Sequence, residues 1–577
     1  MINKDLNNNE NSVASWVVKF LIKRNVKVLF GLQGGHIQPI WDFCYKLGIR
    51  IIDVRDEKAA VHMAQAYAIL SNEIGVAMVT AGPGVTNTVT GIANASLACT
   101  PILLIGGCTT IPQSNMGPLQ DIPHVEILKP ITRYSRTARV PEQVIRELDL
   151  AYSFSKGQLS EPGPSYIEIP TDILRCNVKK KLILNDWMKE KKLSKIYPNL
   201  KKIDEFVYKL NNARRPLLIS GRGARNSRVA LKKFLNKTGI FYLDTQDSRG
   251  LISSQHNSNV YAARSKVMSE ADLVILVGRK LDYQLAYGSP AVFNNATFVR
   301  ISDNPYELVD NRRGDPEIYS EPKLVFEKIN SIQLNINLDK NWITEIQNFH
   351  NKKIEKFKNT KEVYIGDDNK IHPNYIFNCI SNLVQHNYVG IADGGDILSF
   401  ARVGLDSKYY LDSGVFGCLG IGVPYAIAAA EVYKDLPIIC VTGDGSFGFN
   451  AMELDTAVRN NSNICVIISN NAGWNIETHD QRLNYGNRVY GTSLRHTNYA
   501  KMAEGLGAFG VRVEKPEDLE KSISVALKNT PSVVDVVTSS SVLSSDAIKG
   551  LGYIPKYQAL DVWDNLEKKY RDEDKDM

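Results

Sequence analysis

The chain has 577 residues, of which 44% are hydrophobic and 23% are charged, a composition typical of a globular protein with a large core. This length predicts two to four domains. The formal net charge of +7 is spread thinly, and lysine-rich stretches such as VKKKLILNDWMKEKK are typical of solvated linkers, so we expect no nucleic-acid partner.

The sequence also argues against a membrane-spanning or secreted protein. It contains no run of 18 apolar residues, and the N-terminal MINKDLNNNENS lacks the apolar region of a secretory signal. The eight cysteines form no CxxC pair, and several, such as Cys440 and Cys465, lie in apolar strand-like runs. Such cysteines are typical of reduced core thiols, and we therefore expect a cytoplasmic protein.

Residues 1–183 alternate strand-like and helix-like segments. The predicted strands are VKVLFGL, RIIDVRD, GVAMVTAG, PILLIGG and SYIEIP, and glycine-rich turns follow several of them. This alternation predicts a doubly wound parallel sheet. A polar, lysine-rich linker is expected to follow over about 181–200.

A second α/β unit is predicted over residues 200–335, with RRPLLISGRG, IFYLDT, ADLVILVGRK and TFVRIS as its strands. The segment ISGRGARNS places Gly221 and Gly223 after a strand, but a lone GxG is usually a simple turn. Residues 336–370 are polar and lack a core pattern, which predicts a helical linker.

A third α/β unit is predicted over residues 371–540. The C-terminal tail, residues 541–577, ends in KKYRDEDKDM and is expected to be frayed. Within the third unit, LPIICVT and NICVIISNN are strand-like, and NAMELDTAVRN between them has helical periodicity. Asp444 and Asn471 therefore follow neighbouring strands, whose carboxyl ends meet at one edge of a parallel sheet, where α/β folds bind ligands.

The residue types at this edge suit Mg²⁺ and a diphosphate. One carboxylate and one amide oxygen are hard ligands, and Mg²⁺ takes few protein ligands while water and phosphate fill its other positions. Gly443 and Gly445 allow the backbone to approach a diphosphate, and the helix N-terminus after Ser446 favours an anion. A glycine-rich turn with an unrelated asparagine turn is the alternative, which the paired strands and intervening helix disfavour.

Together, the GDG, ELxTA and NN motifs resemble the thiamine-diphosphate and magnesium motif of the acetolactate synthase-like superfamily. The resemblance covers nearly the whole chain and implies three doubly wound parallel-sheet α/β domains: pyrimidine-binding, middle and diphosphate-binding. The segments FGLQGGHIQPIWD, VRDEKAAVHMAQAYA, VAMVTAGPGVTNTVTGIANA and GNRVYGTSL are most similar to the branch that holds benzaldehyde lyase and the 2-hydroxyacyl-CoA lyases.

The resemblance implies a set of metal and cofactor ligands. The implied Mg²⁺ ligands are Asp444, the side chain of Asn471 and the backbone carbonyl of Gly473. The residues implied to hold the diphosphate are Gly395, Asp396, Gly445 and Ser446. Ile421 aligns with the apolar wedge that keeps the cofactor bent, with ordinary core packing as the alternative.

Glu57 in VRDEKAA matches the catalytic glutamate of the family. Its charge-assisted hydrogen bond to the aminopyrimidine ring would promote the imino tautomer, which removes the thiazolium proton. A surface glutamate at a helix start is the alternative. In the family the active site lies between subunits, so the resemblance implies a homodimer or homotetramer in which Glu57 and Asp444 come from different subunits.

His36 and Gln120 are the candidate residues on the substrate side. Either could relay protons or polarise a carbonyl, and a hydrogen-bonded turn residue is the alternative for each. His62 and His124 are interpreted as structural or rim residues.

The segment WNIETHDQR directly follows the metal site and is expected to line the substrate pocket. Trp474 and Ile476 would supply apolar surface. Glu477 would either face the pocket or point to solvent.

Many relatives bind FAD or ADP in the middle domain and often carry an IDIDP segment there. This chain has ISDNP, in which Ser302 and Asn304 replace the two carboxylates. Because a carboxylate that would accept a ribose hydroxyl is missing, bound FAD or ADP is disfavoured, although not excluded.

The resemblance implies an enzyme that makes or breaks a carbon–carbon bond next to a carbonyl. The favoured reaction transfers an acyl unit, such as acetyl, from a 2-keto acid such as pyruvate to an aldehyde or ketone acceptor, as in acetolactate synthase. Lyase chemistry on 2-hydroxy ketones or 2-hydroxyacyl-CoA is the alternative. Simple decarboxylation is disfavoured because the chain has no adjacent His-His pair.

Two functional hypotheses outside thiamine-dependent catalysis have weaker support in the sequence. A non-catalytic scaffold homologue would be supported by loss of Glu57 or Asp444, and both are present. A nucleotide-dependent oxidoreductase would need a fuller glycine fingerprint than GRGARNS.

Overall fold

The structure is a computed structural model that describes residues 10–183, 185–189, 195–294, 296–361, 364–544, 546–548, 552 and 554–573. These residues form three α/β units, each built on a parallel sheet, in the order predicted from the sequence. Within the described residues, no helix is both long and apolar enough to cross a bilayer.

The first unit contains a six-stranded parallel sheet with the strand order β2-β1-β3-β4-β6-β5. Its strands are β1 Val28–Gly31, β2 Arg50–Asp53, β3 Gly75–Val79, β4 Ile102–Cys108, β5 Tyr134–Thr137 and β6 Pro164–Pro170. Its helices are α1 Val13–Lys23, α2 Gln38–Leu47, α3 Glu57–Ser71, α4 Pro83–Thr86, α5 Val89–Leu97, α6 His124–Leu128, α7 Val144–Ser155, α8 Thr171–Arg175 and α9 Asn185–Met188. The sequence patterns missed only β5, whose residues YSRT are polar and only partly buried.

The middle unit contains a five-stranded parallel sheet with the order β11-β10-β9-β7-β8. Its strands are β7 Pro216–Ser220, β8 Phe241–Asp244, β9 Leu273–Val277, β10 Thr297–Ser302 and β11 Glu317–Tyr319. Its helices are α10 Leu200–Asn212, α11 Arg228–Thr238, α12 Arg264–Glu270, α13 Pro290–Phe293 and α14 Pro322–Asn330, and α15 Lys340–Lys361 follows in the predicted helical linker. The three-residue strand β11 is too short to give a period-two signal.

The third unit repeats the topology of the first, with the order β13-β12-β14-β15-β17-β16. Its strands are β12 Val389–Asp393, β13 Tyr409–Leu411, β14 Ile438–Gly443, β15 Ile464–Asn470, β16 Phe509–Val513 and β17 Ser532–Val537. Its helices are α16 Pro373–Val384, α17 Asp396–Gly404, α18 Gly422–Val432, α19 Asp444–Asn450, α20 Glu453–Arg459, α21 Asn475–Asn484, α22 Tyr499–Gly505 and α23 Pro516–Lys528, and α24 Asp561–Glu573 ends the described chain.

The first and third units pack directly against each other through α3 and α18. Small buried residues such as Ala60 in α3 and Ala426 in α18 belong to one continuous apolar cluster, and their size allows the two helices to approach closely. Glu57 is the first residue of α3, and Ile421 directly precedes α18. The interface therefore holds two predicted site residues at the ends of packed helices.

The C-terminal tail differs from its predicted frayed state. Helix α24 packs beside α13, Trp563 lies in an apolar cluster with Phe293, and Ser289 hydrogen-bonds to Glu567. The physical reason is amphipathicity, because the charged sequence of the helix still presents a buried Trp563 to the middle unit. The last predicted tail residues, 574–577, lie outside the described residues.

Candidate active site

Asp444 and Asn471 lie at the carboxyl ends of adjacent parallel strands. Gly443 at the end of β14 pairs with Ser469 in β15. Asp444 comes one residue after Gly443, and Asn471 comes two residues after Ser469. Asp444 Oδ2 and Asn471 Oδ1 are buried, and neither has a hydrogen-bond partner among the residues that the structure describes. A buried oxygen without a partner is costly, and a bound cation removes that cost.

The surroundings of Asp444 fit a cation as the missing partner. Burial raises the pKa of Asp444 to about 7, and the opposing groups are backbone N–H groups, including those of Gly445, Gly473 and Ala472. Ala472 has a left-handed φ of 59°, which is uncommon for a residue with a side chain and which turns the chain between Asn471 and Gly473. One carboxylate and one amide oxygen form a donor set that fits Mg²⁺.

A site with a single carboxylate is not a cluster of classical metal ligands. Among the residues that the structure describes, no group of three or more His, Cys, Asp or Glu side chains is placed to bind a metal. Gly473, the third predicted ligand, forms an antiparallel bridge with Ser493, and the next residue, Trp474, donates its backbone N–H to Thr492 over 2.8 Å. The loop after β15 is therefore held in place from the segment around Thr492.

Two of the predicted diphosphate residues, Gly445 and Gly395, lie directly against the predicted pocket residues Trp474 and Ile476. A Cβ on Gly445 would lie 2.6 Å from the Trp474 ring, and a Cβ on Gly395 would lie 2.9 Å from Ile476. A side chain at either position would therefore have to displace Trp474 or Ile476, and three chain segments converge there. Ser446 is buried close to this convergence, its Oγ 3.4 Å from a Cβ placed on Gly394.

Asp396 belongs to a polar group of which the sequence indicated only Asp396 itself. Asn475 Nδ2 donates to Asp396 Oδ2 over 3.1 Å and contacts His479 Nε2 over 3.0 Å, while Asp396 Oδ1 is buried and has no partner in the described part of the chain. Burial raises the pKa of Asp396 and lowers that of His479. The spacing of Asn475 and His479, one helical turn apart on α21, is the signal that could have identified them. Glu477, on the same helix, is exposed in this chain.

Ile421 is fully buried in the apolar cluster that joins α3 and α18. The loop around it is held by Asp393, which accepts hydrogen bonds from the backbone N–H groups of Gly420 at 3.2 Å and Gly422 at 2.9 Å. Burial raises the pKa of Asp393 to about 7. Asp393 could not be identified from the sequence, because its hydrogen bonds go to a loop that lies close to it only in the folded chain.

Glu57 lies at the corresponding edge of the first unit, and it is buried rather than on the surface. Asp56 caps α3 by accepting the backbone N–H of Lys58 over 2.7 Å. Asn87 Nδ2 donates to Glu57 Oε2 over 2.9 Å, and a Cβ on Gly84 would lie 3.5 Å from Glu57 Oε1. The Oε2 atom of Glu57 is therefore fixed by a hydrogen bond, and its Oε1 atom lies next to Gly84.

His36 and Gln120 border the same turn, which runs from Thr80 to Gly84. His36 Nδ1 lies 3.2 Å from Thr80 Oγ1, and Gln120, with a φ of 64°, packs against Gly82. Burial chiefly lowers the pKa of His36, and the positive charge of Arg175 lowers it further. The ring is therefore neutral near pH 7.

His124, predicted to be a structural or rim residue, holds this turn by a hydrogen bond. Its Nε2 accepts the backbone N–H of Gly82 over 2.7 Å, and its Nδ1 lies 2.9 Å from Glu168 Oε2. Because Nε2 accepts a hydrogen bond, Nδ1 carries the proton and donates to the glutamate. Tyr166 and Thr137 also donate to Glu168, at 2.8 and 2.6 Å. The turn beside Glu57 is thus anchored in the core of the first unit.

The same edge of the middle unit is filled by the chain's own side chains. Ser302 Oγ donates to Glu307 over 2.7 Å, and Glu307 also pairs with Arg222 at 2.7 Å. Asn304 Nδ2 donates to Glu161 of the first unit over 3.1 Å. A Cβ on Gly223 would lie 2.8 Å from the Gly278 backbone, so the two glycine turns touch each other.

Comparisons with known proteins cover all three units. The family model described as "Thiamine pyrophosphate enzyme, N-terminal TPP binding domain" matches residues 11–127, its central domain matches 203–329, and its C-terminal TPP binding domain matches 397–536. The chain is 28% identical over 547 residues to "2-hydroxyacyl-CoA lyase 2" of Homo sapiens, covering 87% of this chain and 85% of that protein. It is 29% identical over 545 residues to "Probable acetolactate synthase" of Mycobacterium bovis, covering 91% and 95%. It is 27% identical over 555 residues to "2-hydroxyacyl-CoA lyase 1" of Homo sapiens, covering 91% and 94%.

Proposed function

Because this chain belongs to the thiamine pyrophosphate enzyme family, which acts on carbon–carbon bonds, we propose that it is a carboligase dependent on thiamine diphosphate and Mg²⁺. In this proposal it transfers an acyl unit, such as acetyl from pyruvate, to an aldehyde or ketone acceptor. The observation that carries the cofactor assignment is the pair of buried, unpartnered oxygens on Asp444 and Asn471.

Thiamine diphosphate, when bound, supplies an electron sink for chemistry next to a carbonyl. Asp444, Asn471 and the carbonyl of Gly473 would hold the Mg²⁺ that neutralises its diphosphate. Gly395 and Gly445 would let the backbone approach the diphosphate, with Asp396 and Ser446 beside them, and Trp474 and Ile476 would border the bound substrate. The crowding of Cβ positions at both glycines supports this arrangement.

Glu57 would hold the proton that the aminopyrimidine ring requires. Its burial supports a strong charge-assisted hydrogen bond, since water competes little there. The hydrogen bond from Asn87 to Oε2 leaves Oε1 available for such a partner. Ile421, fully buried on the other side of the α3–α18 interface, would serve as the apolar support of the cofactor.

The lowered pKa of His36 favours ligation over simple decarboxylation. A neutral imidazole is a weak acid at pH 7, so its proton transfer is slow. A carbonyl acceptor can therefore react before a proton is transferred. His36 and Gln120 would then orient the acceptor oxygen and exchange a proton with it at the end of the reaction. The extensive match to a protein named as a probable acetolactate synthase also supports the keto-acid donor.

The proposal includes an assembly of two or four copies. Segments beside the candidate site expose large apolar side chains: Met116 at 77% and Leu119 at 79% lie in the loop before Gln120, and Phe449 at 51% lies in α19. Such side chains are typical of a contact surface. The eight cysteines are unpaired, which supports a reducing, cytoplasmic setting.

Carbon dioxide release tests the donor. The protein with Mg²⁺ and thiamine diphosphate is incubated with pyruvate, with and without a panel of aldehydes and ketones, and carbon dioxide and ligated products are measured. We expect release that accelerates with the right acceptor and yields a hydroxy ketone product. No carbon dioxide from pyruvate or other short 2-keto acids would contradict the ligase proposal.

A lyase acting on 2-hydroxy ketones or 2-hydroxyacyl-CoA is the second candidate. The neutral ring of His36 also favours it, because such a ring can accept the proton of a donor hydroxyl. Proteins named 2-hydroxyacyl-CoA lyase match this chain over most of its length. Cleavage of a 2-hydroxy ketone without carbon dioxide release would favour this candidate.

A further inference from the structure

We propose that Glu453 is a positioning residue: from the third unit, it holds the turn that leads into Glu57. Its carboxylate lies against the last two backbone N–H groups before α3. The inference rests on the proposed function only in assigning a catalytic role to Glu57.

Both oxygens of Glu453 are used. Oε1 accepts the backbone N–H of Arg55 over 3.0 Å and that of Asp56 over 3.2 Å. Oε2 accepts the hydroxyl of Thr456 over 2.6 Å. Arg55 and Asp56 directly precede Glu57, so the carboxylate fixes the peptide planes at the entry to α3.

Fixing these planes fixes the direction of the Glu57 side chain. Glu57 occupies the first helical position, where a rotation of the preceding peptides moves the side chain most. Asn87 ties Glu57 Oε2 from the first unit, and Glu453 fixes the backbone of the turn from the third unit. A misplacement of about 1 Å at a catalytic group can lower a rate by roughly 100-fold, so loss of this restraint should have a large effect on the reaction rate.

Simple adhesion between the two units is the competing explanation for Glu453. Other pairs already supply adhesion at the same boundary: Arg50 with Glu431 at 3.1 Å, Arg55 with Asp455 at 3.3 Å, and Arg459 with Asp53. Their arginines are about one third to one half exposed, as surface pairs usually are.

Glu453 differs from these pairs because it is only 1% exposed and its hydrogen-bond donors are two amides and a hydroxyl. Burial raises the pKa of Glu453 to about 7, the mark of a carboxyl group taken out of water. An apolar side chain would hold two buried surfaces together at lower cost. A buried acceptor is instead what two converging N–H groups require.

The same stretch of chain begins at the candidate metal site. Helix α19 starts at Asp444, and α20, which follows it directly, starts at Glu453. One pair of short helices therefore connects the candidate Mg²⁺ ligand to the turn that carries Glu57. A displacement of α19 at the metal end would be passed to that turn.

Three substitutions separate positioning from adhesion. Glu453→Met keeps the length and apolar contacts of the side chain but removes the acceptor oxygens. Glu453→Gln keeps one oxygen that can accept the two N–H groups. Asp455→Asn is the matched control, because it weakens the ion pairs of Arg55 and Arg459 at the same boundary and leaves the N–H contacts intact.

The first measurement uses the protein alone. Amide hydrogen exchange of the segment 53–58 reports the protection of the Arg55 and Asp56 N–H groups. We expect Glu453→Met to raise exchange there by about 10-fold, a factor that corresponds to about 1.4 kcal/mol and lies within the net worth of one hydrogen bond. Glu453→Gln and Asp455→Asn should stay close to wild type. Unchanged protection in Glu453→Met would overturn the inference.

The second measurement uses saturating Mg²⁺ and thiamine diphosphate. Deuterium exchange at the thiazolium carbon should fall by about 10- to 100-fold in Glu453→Met, recover in Glu453→Gln and remain unchanged in Asp455→Asn. Wild-type exchange in Glu453→Met at full cofactor occupancy would contradict positioning. If Glu57→Gln exchanges like wild type, the catalytic role of Glu57 is wrong, while the amide protection still tests the turn.

Glu453→Asp covers a failure of the methionine variant to fold. Its shorter side chain retains the charge but draws the carboxylate away from the turn. It should expose the Arg55 and Asp56 amides in the same way. Wild-type amide protection in Glu453→Asp would overturn the inference as well.

Discussion

The carboxyl edges of the third and middle units have the same architecture but opposite chemistry. At the third sheet, Asp444, Asn471 and Asp396 each hold a buried oxygen that has no partner among the described residues. At the middle sheet, Ser302 donates to Glu307, which also pairs with Arg222. The carboxylate and amide oxygens of the third edge therefore need a ligand, whereas both carboxylate oxygens of Glu307 at the middle edge are already bonded.

This difference shows how a binding site can be distinguished from the fold that carries it. A parallel sheet brings loop residues to one edge whether or not anything binds there. Buried polar atoms, however, are almost always hydrogen-bonded, so a cluster of unpaired ones indicates a missing partner.

Asp444→Ala should cause the largest loss of cofactor affinity. It removes the carboxylate of the candidate metal site, so we expect the affinity for thiamine diphosphate with Mg²⁺ to fall by more than about 100-fold, beyond the loss typical of supporting residues. Isothermal titration calorimetry measures this. Ser302→Ala at the middle edge is the control and should retain the affinity. Equal affinity in Asp444→Ala and wild type would refute the metal assignment and the contrast with it.

Glu57→Gln should separate activation from binding. The amide keeps the shape of the side chain but cannot supply a charged hydrogen bond, so exchange at the thiazolium carbon should fall by about 10²- to 10⁴-fold. The dissociation constant of the cofactor should change only a few-fold, because the metal edge is intact. A large loss of affinity with unchanged exchange would reverse the roles assigned to the two edges.

His36→Ala should distinguish the two candidate reactions. If the enzyme is a lyase, cleavage should slow by about 10²-fold, since the ring would no longer accept the donor proton. If it is a keto-acid-driven ligase, carbon dioxide release from pyruvate should stay close to wild type and product formation should fall. Gas release and product are followed in the same reaction. A variant unaffected in both would remove His36 from the mechanism.

His62 is a buried titratable residue that we expect not to contact a ligand, in contrast to Asp444. It is fully buried between the first and third units, and its Nδ1 has no partner. Burial lowers the pKa of His62 to about 3, whereas the unfolded chain titrates near 6.5. The unfolded state therefore binds more protons below pH 6.5, and stability present at pH 7 is lost as the pH falls.

Between pH 7 and pH 5, this single group should lower the free energy of unfolding by about 2 kcal/mol. Urea unfolding at both pH values measures the change, and His62→Gln should reduce it. Thiamine diphosphate with Mg²⁺ should not abolish the dependence, because His62 would not contact the ligand. An equally steep dependence in His62→Gln would assign it to other groups.

Nucleotides should have the smallest effect. Because the middle edge is filled by its own ion pair, we expect ADP and FAD to leave the melting temperature unchanged. Thiamine diphosphate with Mg²⁺, at 100-fold excess over its dissociation constant, should stabilise the protein by about 2.7 kcal/mol. Thermal unfolding monitored by fluorescence compares the ligands. Saturable stabilisation by ADP would show that the contacts of Arg222 and Glu307 open to admit a ligand.

Much of the fold could be read from local pattern. Long apolar runs predicted most strands, and the strand–helix–strand spacing placed Asp444 and Asn471 on neighbouring strands. These features depend on residues close together in the chain. The strands β5 and β11 could not be found in this way, because they are short or polar and are stabilised by neighbouring strands. In the third unit only β14 and β15 were predicted individually, and β12, β13, β16 and β17 were not. The α24 helix was missed because its partner, α13, lies far away in the sequence.

The order of the three units, the family motifs and Glu57 as a candidate residue could all be read from the sequence, because each lies in a contiguous stretch of residues. The burial of Glu57, the hydrogen bonding of the polar groups and the residues that support the candidate site became visible only in the folded chain. Asn475 with Asp396, His124 with Gly82, and Glu453 with the turn before Glu57 are examples. The physical reason is that a hydrogen bond depends on position in space, and the packing of whole units brings together groups that the chain separates by up to several hundred residues.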